Sequence, residues 1–192
     1  ILNFGLDVRV TWRVKPGYIK LYVNLTTGAN NGISMTMVRT NEDDPIRNIR
    51  IIMPGFETIY AVSPFHPAFK ASLKHYNMFR YMGWMNVNTE GTTPWDWSER
   101  VTPDYYSQAV QGSSAEYMVL LSNEMAADPW FALPINATDE YFQEFATLVG
   151  KSLRPDLQVY VELANEVWGT LYFGGQWANL KASAEDISPL CW

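Results

Sequence analysis

A small antiparallel β module followed by half of a TIM-type (β/α)8 barrel is the α/β architecture this sequence predicts. Three observations predict it. Through residues 1–40, apolar and polar side chains alternate with a period of two, the mark of strands with one buried face. From residue 46 the pattern changes to short apolar runs separated by stretches of helical periodicity, as in a parallel sheet covered by helices. No Gly-rich phosphate loop follows the first of those runs, which removes the nucleotide-binding open sheet and leaves the barrel.

In the first module, Val8, Val10, Trp12 and Val14 alternate with Arg9, Thr11 and Arg13. Lys15-Pro16-Gly17 reads as a turn, after which Ile19, Leu21, Val23 and Leu25 alternate with Lys20, Tyr22 and Asn24. Ile33, Met35 and Met37 continue the pattern, and the charged, proline-bearing Asn41-Glu-Asp-Asp-Pro45 breaks it, so modules are expected at 1–44 and 45–192. The second module opens with an apolar strand at 49–53, closed by Pro54-Gly55, and a short helix at 67–74. A second strand at 77–82 leads into a long polar loop bearing tryptophans, up to Arg100. Thr102-Pro103-Asp104 has the capping hydroxyl and early proline of a helix start, with Gly112-Ser113-Ser114 dividing that helix from a second piece at 115–127. A third strand at 129–133 precedes Thr138, the cap of a helix that places Tyr141, Phe142, Phe145, Leu148 and Val149 on one face. Pro155 ends it, and 159–164 is the fourth strand. Successive βα units of one hand put these four strands side by side and parallel. Four units are half of a barrel that typically needs ~250 residues, so a longer chain, further copies of this one or a separate chain is expected to complete it.

Composition narrows the function classes. With 47% apolar and 18% charged residues, the chain has enough apolar side chains for a sizeable core and too little charge for a disordered segment. Fourteen basic against twenty acidic residues give −6, which argues against a nucleic-acid partner. No apolar run reaches the ~18–20 residues of a membrane span. His66, His75 and the single Cys191 form no metal-ligand pattern, so neither metal nor other cofactor is expected. Cys191 is either a spare thiol or a bond to another chain. Asn24-Leu-Thr26 and Asn136-Ala-Thr138 are glycosylation acceptor motifs, which point to an extracellular, secreted protein.

The chemistry concentrates at one place. Asn-Glu occurs three times, at 41–42, 123–124 and 165–166, and only the third closes an apolar strand. A carboxylate at the C-terminal end of a barrel strand sits where such enzymes keep their reacting groups, and the amide beside it can hold a substrate hydroxyl. Two other roles stay open: Glu166 as an acid favoured by a helix start, and Arg80 as the ion-pair partner of Glu162. Trp84, Trp95, Trp97, Trp130, Trp168 and Trp177 are either core residues or sugar-facing platforms.

Several blocks, in order, carry a resemblance: Ile46-Arg-Asn-Ile-Arg-Ile-Ile-Met-Pro-Gly-Phe-Glu57, Phe65-His-Pro67, Phe79-Arg-Tyr-Met-Gly-Trp84, Thr102-Pro-Asp-Tyr-Tyr106, Glu116-Tyr-Met118, Ala127-Asp-Pro-Trp-Phe131 and Val159-Tyr-Val-Glu-Leu-Ala-Asn-Glu-Val-Trp168. Over roughly residues 40–178 the chain resembles secreted cellulase-like proteins of the barrel clan of retaining glycoside hydrolases. The resemblance implies Glu166 as general acid/base, Asn165 as the holder of the sugar 2-hydroxyl and Arg80 near the nucleophile, with Trp84, Trp130 and Trp168 binding a polysaccharide or oligosaccharide. The clan's nucleophile, a Glu on the seventh strand, has no counterpart in these residues. Gly83 and Ile135 stand where the clan would have an acid and a histidine. Two functions are therefore expected: retaining hydrolysis of a β-linked glycan by the completed barrel, or an inactive extracellular structural or glycan-binding descendant. An unrelated α/β binding domain is a third.

Overall fold

The period-two alternation of the first module becomes an antiparallel hairpin. Strand β2 (Val8–Lys15) pairs with β3 (Tyr18–Leu25), and the register sets Val8 opposite Leu25, Val10 opposite Val23, Trp12 opposite Leu21 and Val14 opposite Ile19. The register thus sets apolar positions opposite apolar positions along the whole hairpin. A second antiparallel pair joins β1 (Leu2–Phe4) to β4 (Met35–Met37). The computed structural model describes residues 2–4, 8–15, 18–25, 35–47, 49–88 and 96–187. The expected turn at 16–17, together with Ile33, Trp95 and Cys191, lies outside them. Contacts divide the chain into two compact units, Ile1–Ile52 and Met53–Trp192.

The second unit is a three-stranded parallel sheet with helices. Its elements in order are α1 (Pro67–Leu73), β5 (Met78–Arg80), a 3-10 turn (Trp97–Glu99), α2 (Ala115–Met125), β6 (Asp128–Leu133), α3 (Asp139–Ser152), β7 (Tyr160–Leu163) and α4 (Phe173–Ala184). The strands run β5-β6-β7, parallel and in chain order. The expected first strand at 49–53 is absent. That segment is coil, and Ile51 stands 81% exposed. Five residues closing on a Pro-Gly turn gain few ladder hydrogen bonds, and as exposed coil their backbone groups are served by water.

Helix ends follow local chemistry. Thr138 accepts from the Tyr141 amide at 3.2 Å and Ser114 from the Tyr117 amide at 3.4 Å. His66 caps α1: its Nδ1 accepts from the Ala68 amide, so Nε2 carries the proton and donates to the Pro54 carbonyl at 3.0 Å. The helix expected after Thr102 does not form, and residues 102–111 run through a turn and bends. Side chains there take the backbone groups a helix would use. Ser107 Oγ accepts from the Ala109 and Val110 amides, and the Gln108 amide spans the Thr102 carbonyl and the Ser114 N–H. Gly112 then turns at φ +91°, where a Cβ would lie 2.5 Å from the Trp84 carbonyl oxygen.

The core sits between the sheet and the helices α2 and α3. Phe131, fully buried in the central strand, stacks on Tyr81 and meets Phe145 edge-on at 5.0 Å. Tyr141, Phe145 and Val149 of the predicted α3 face are buried. The Tyr81 hydroxyl donates to the Met118 carbonyl and shares a 2.9 Å bond with Ser122 Oγ. Burial pushes the phenols of Tyr81 and Tyr141 above the ordinary tyrosine range. Among the described residues, no helix is long and apolar enough to cross a membrane.

Candidate functional site at the strand ends

Side chains of a strand alternate between faces. Phe79, Phe131 and Leu133 are buried with the core, so the intervening Arg80, Trp130, Ala132, Tyr160 and Glu162 belong to the sheet's other face. The register sets Arg80 beside Trp130 and Ala132 beside Glu162, which places Arg80 and Glu162 on a diagonal that a long side chain spans.

Arg80 organises this face. Its Nε and Nη2 lie 2.8 and 2.7 Å from Glu162 Oε1, and Nη2 also donates to Asn165 Oδ1 at 2.7 Å. The guanidinium carbon stands 5.2 Å from the Trp130 ring centroid, within cation–π range. Asn165 passes the chain of bonds on, its Nδ2 donating to Asn88 Oδ1 at 3.1 Å. The ion pair is part-exposed and contributes less than ~1 kcal/mol. The bond to Asn165, only 5% exposed, is worth about 1.5–3 kcal/mol because one partner is charged and the other desolvated. The alternative role for Arg80, partner of Glu162, is thus realised together with its position beside Asn165.

Asn165 lies between two residues in the left-handed region, Ala164 at φ 57° and Glu166 at φ 48°. Each costs roughly 1–2 kcal/mol for an L-residue, and such conformations persist only where the surroundings enforce them. The Ala164 amide donates to the Leu133 carbonyl, prolonging the β6–β7 ladder by one bond, and the Gly169 amide donates to the Glu166 carbonyl across a tight turn. Glu166 is half-buried and directly follows the anchored amide. It is not a helix-start acid: the chain runs through turns to Tyr172, and α4 has no acidic residue in its first turn.

The remaining expected residues scatter. Trp84 stacks on Phe69 and tilts against Tyr81, so it packs with the helix side rather than with Arg80. It also borders a cleft of about 450 Å³ with Phe65 and Tyr117. Trp97 lies under Arg100 and edge-on to Tyr141, and Trp177 lies under Lys181. Trp168, 64% exposed, follows Glu166 in the turn. Asn136 is half-buried in the turn after β6, whereas the Asn24 side chain lies outside the description. Gly83 is exposed, with open space where a side chain would stand, and Ile135 is half-buried beyond β6. No group of three or more His, Cys, Asp or Glu side chains among the described residues is arranged to hold a metal ion. Asn88 is the member that sequence reasoning missed. It lies in a stretch of turns, 77 residues from its partner, with no motif to mark it.

The arrangement provides a fixed cation, a fixed amide, an aromatic ring and a carboxylate at the end of a parallel sheet, where open α/β proteins and barrels bind ligands. Compared with known proteins, the chain matches no family model, no curated protein and no solved structure.

Proposed function

We propose that the strand-end face of the second unit binds a β-linked glycan, as part of a glycoside-hydrolase-like site in which Glu166 is the acid/base. The observation carrying this is the position of Asn165, buried, tied to Arg80 and immediately preceding Glu166. An amide locked in that way offers a sugar hydroxyl a preset partner, and Trp130 adds a ring beside it. Glu166 donates its proton to the departing glycosidic oxygen, while retention requires a second carboxylate ~5–5.5 Å away. Exposed Val161 and Leu163 on β7 support a completed barrel around this edge, since parallel sheets are ordinarily covered. Such a protein works outside the cell.

One observation favours a second reading, glycan binding without turnover. Glu162, the other carboxylate on this face, is engaged by Arg80 and is not free to attack an anomeric carbon. Calorimetric titration with cello-, xylo-, manno- and laminari-oligosaccharides, alongside a hydrolysis assay, tests both. Binding by the 192-residue chain, weakened about tenfold by Asn165→Ala and unaccompanied by turnover, is the expected result. Turnover abolished by Glu166→Ala would replace the binding-only reading with catalysis. No binding to any of the four series would remove the proposal.

A further inference from the structure

Two adjacent glycines in the first turn of a helix are a poor local choice, since Gly is the weakest helix former after Pro. In α4 they are Gly174 and Gly175, its two buried residues. What they touch explains them. A Cβ on Gly175 would fall on the Gly169 carbonyl and 3.0 Å from the Val167 carbonyl oxygen. A Cβ on Gly174 would stand 3.1 Å from the Ala164 Cβ, 3.4 Å from Val167 Cγ1 and 3.6 Å from the Asn165 carbonyl oxygen. Every one of these neighbours belongs to the turn from 164 to 169, the segment that holds both left-handed residues flanking Asn165.

We propose that Gly174 and Gly175 are positioning residues for the site: their missing side chains seat α4 directly on the Asn165–Glu166 turn and hold it in the left-handed form that presents the carboxylate. The inference rests on the glycan-binding reading for its functional consequence, but its geometry stands by itself. A left-handed L-residue relaxes unless packing forbids it. The strand below fixes one side of this turn through the Ala164 amide, and the glycine pair closes the other. Nothing in α4 acts on a ligand directly. The pair works by removing the space into which the turn would relax, as a preset site requires.

The clash at Gly175 is with backbone and cannot be relieved by a neighbouring side chain, whereas that at Gly174 is with the Ala164 methyl group. Ala164→Gly removes that methyl and also suits the residue's positive φ. This defines a double-mutant cycle. Gly175→Ala is expected to move the Asn165 and Glu166 amide resonances in 15N-resolved NMR spectra and to weaken oligosaccharide binding by about tenfold or more, with the Phe131 and Phe145 resonances unmoved. Gly174→Ala shifts the same two resonances less, and Ala164→Gly added to it returns both resonances and affinity. If Gly175→Ala fails to fold, the Gly174→Ala and Ala164→Gly pair decides alone. Unmoved resonances at 165 and 166, movement shared equally by the core, or no rescue by Ala164→Gly would each overturn the proposal. If the unsubstituted chain binds no glycan, the proposed function falls, and the resonances still decide whether the pair positions the turn.

Discussion

Two neighbouring strands of one sheet live in different surroundings. In β6, Phe131 is fully buried between Tyr81 and Phe145, under α2 and α3. In β7, one register step away, Val161 and Leu163 are 57% and 56% exposed. The helix that follows β7 buries only its two glycines, and those against the Asn165 turn rather than against the strand. Burial of apolar area at about 25 cal/mol per Å² therefore resides mainly in the layer formed by α2, β6 and α3. The strand that carries Glu162 and leads into Asn165-Glu166 is held chiefly by its ladder with β6 and by Arg80. The core and the candidate site thus lie on opposite faces of one sheet, with the Asn165-Glu166 turn at the end of its least covered strand.

Phe131→Ala should have the largest effect, a loss of about 3–5 kcal/mol in urea unfolding, because a cavity opens where three aromatic rings now meet. A loss below about 1 kcal/mol would mean that the core lies elsewhere. Alkaline unfolding sharpens the same contrast. Tyr81 and Tyr141 have folded-state values raised by burial above the unfolded value of about 10. Their contribution is fully present below the unfolded value and is lost as pH rises toward the folded one, because the unfolded chain ionises first. The melting temperature should fall as pH passes about 10, and less steeply in the Tyr81→Phe, Tyr141→Phe double variant. Equal slopes in the two proteins would contradict the assignment. Leu163→Thr should have the smallest effect, within about 0.5 kcal/mol, since its side chain is already mostly in water. A loss above ~2 kcal/mol would show that β7 is covered in solution.

The sequence was legible where local chemistry decides. Thr138 and the spacing of Tyr141, Phe145 and Val149 announced α3, and the alternation of 8–14 and 19–25 announced the hairpin, because a cap and a period are properties of a few adjacent residues. It misled where distant neighbours decide. The run at 49–53 is apolar enough for a strand, yet it is coil and leaves Ile51 in solvent. The segment after Thr102 begins like a helix, but Ser107 and Gln108 draw its backbone into turns. In the site, Arg80, Asn165 and Glu166 were visible from their places at strand ends, and the Arg80 ion pair with Glu162 from the need to match a charge within a strand. Asn88 and the Gly174-Gly175 pair were not, since neither carries a signal until the chain brings it against residue 165 or 169. Trp84, near a strand end, shows how neighbours decide an aromatic's place: its ring packs on Phe69 and Tyr81 and borders the cleft with Phe65 and Tyr117.

Chemical-shift mapping of the 15N-labelled chain during titration with the tightest-binding oligosaccharide shows whether a glycan sits at the Asn165-Glu166 strand end. The largest shifts should fall on the Asn165 and Asn88 side-chain amides, the Trp130 indole and the Glu166 backbone amide, and Arg80→Met should remove them. Shifts confined to the cleft bordered by Phe65, Trp84 and Tyr117, or unchanged by Arg80→Met, would contradict that placement.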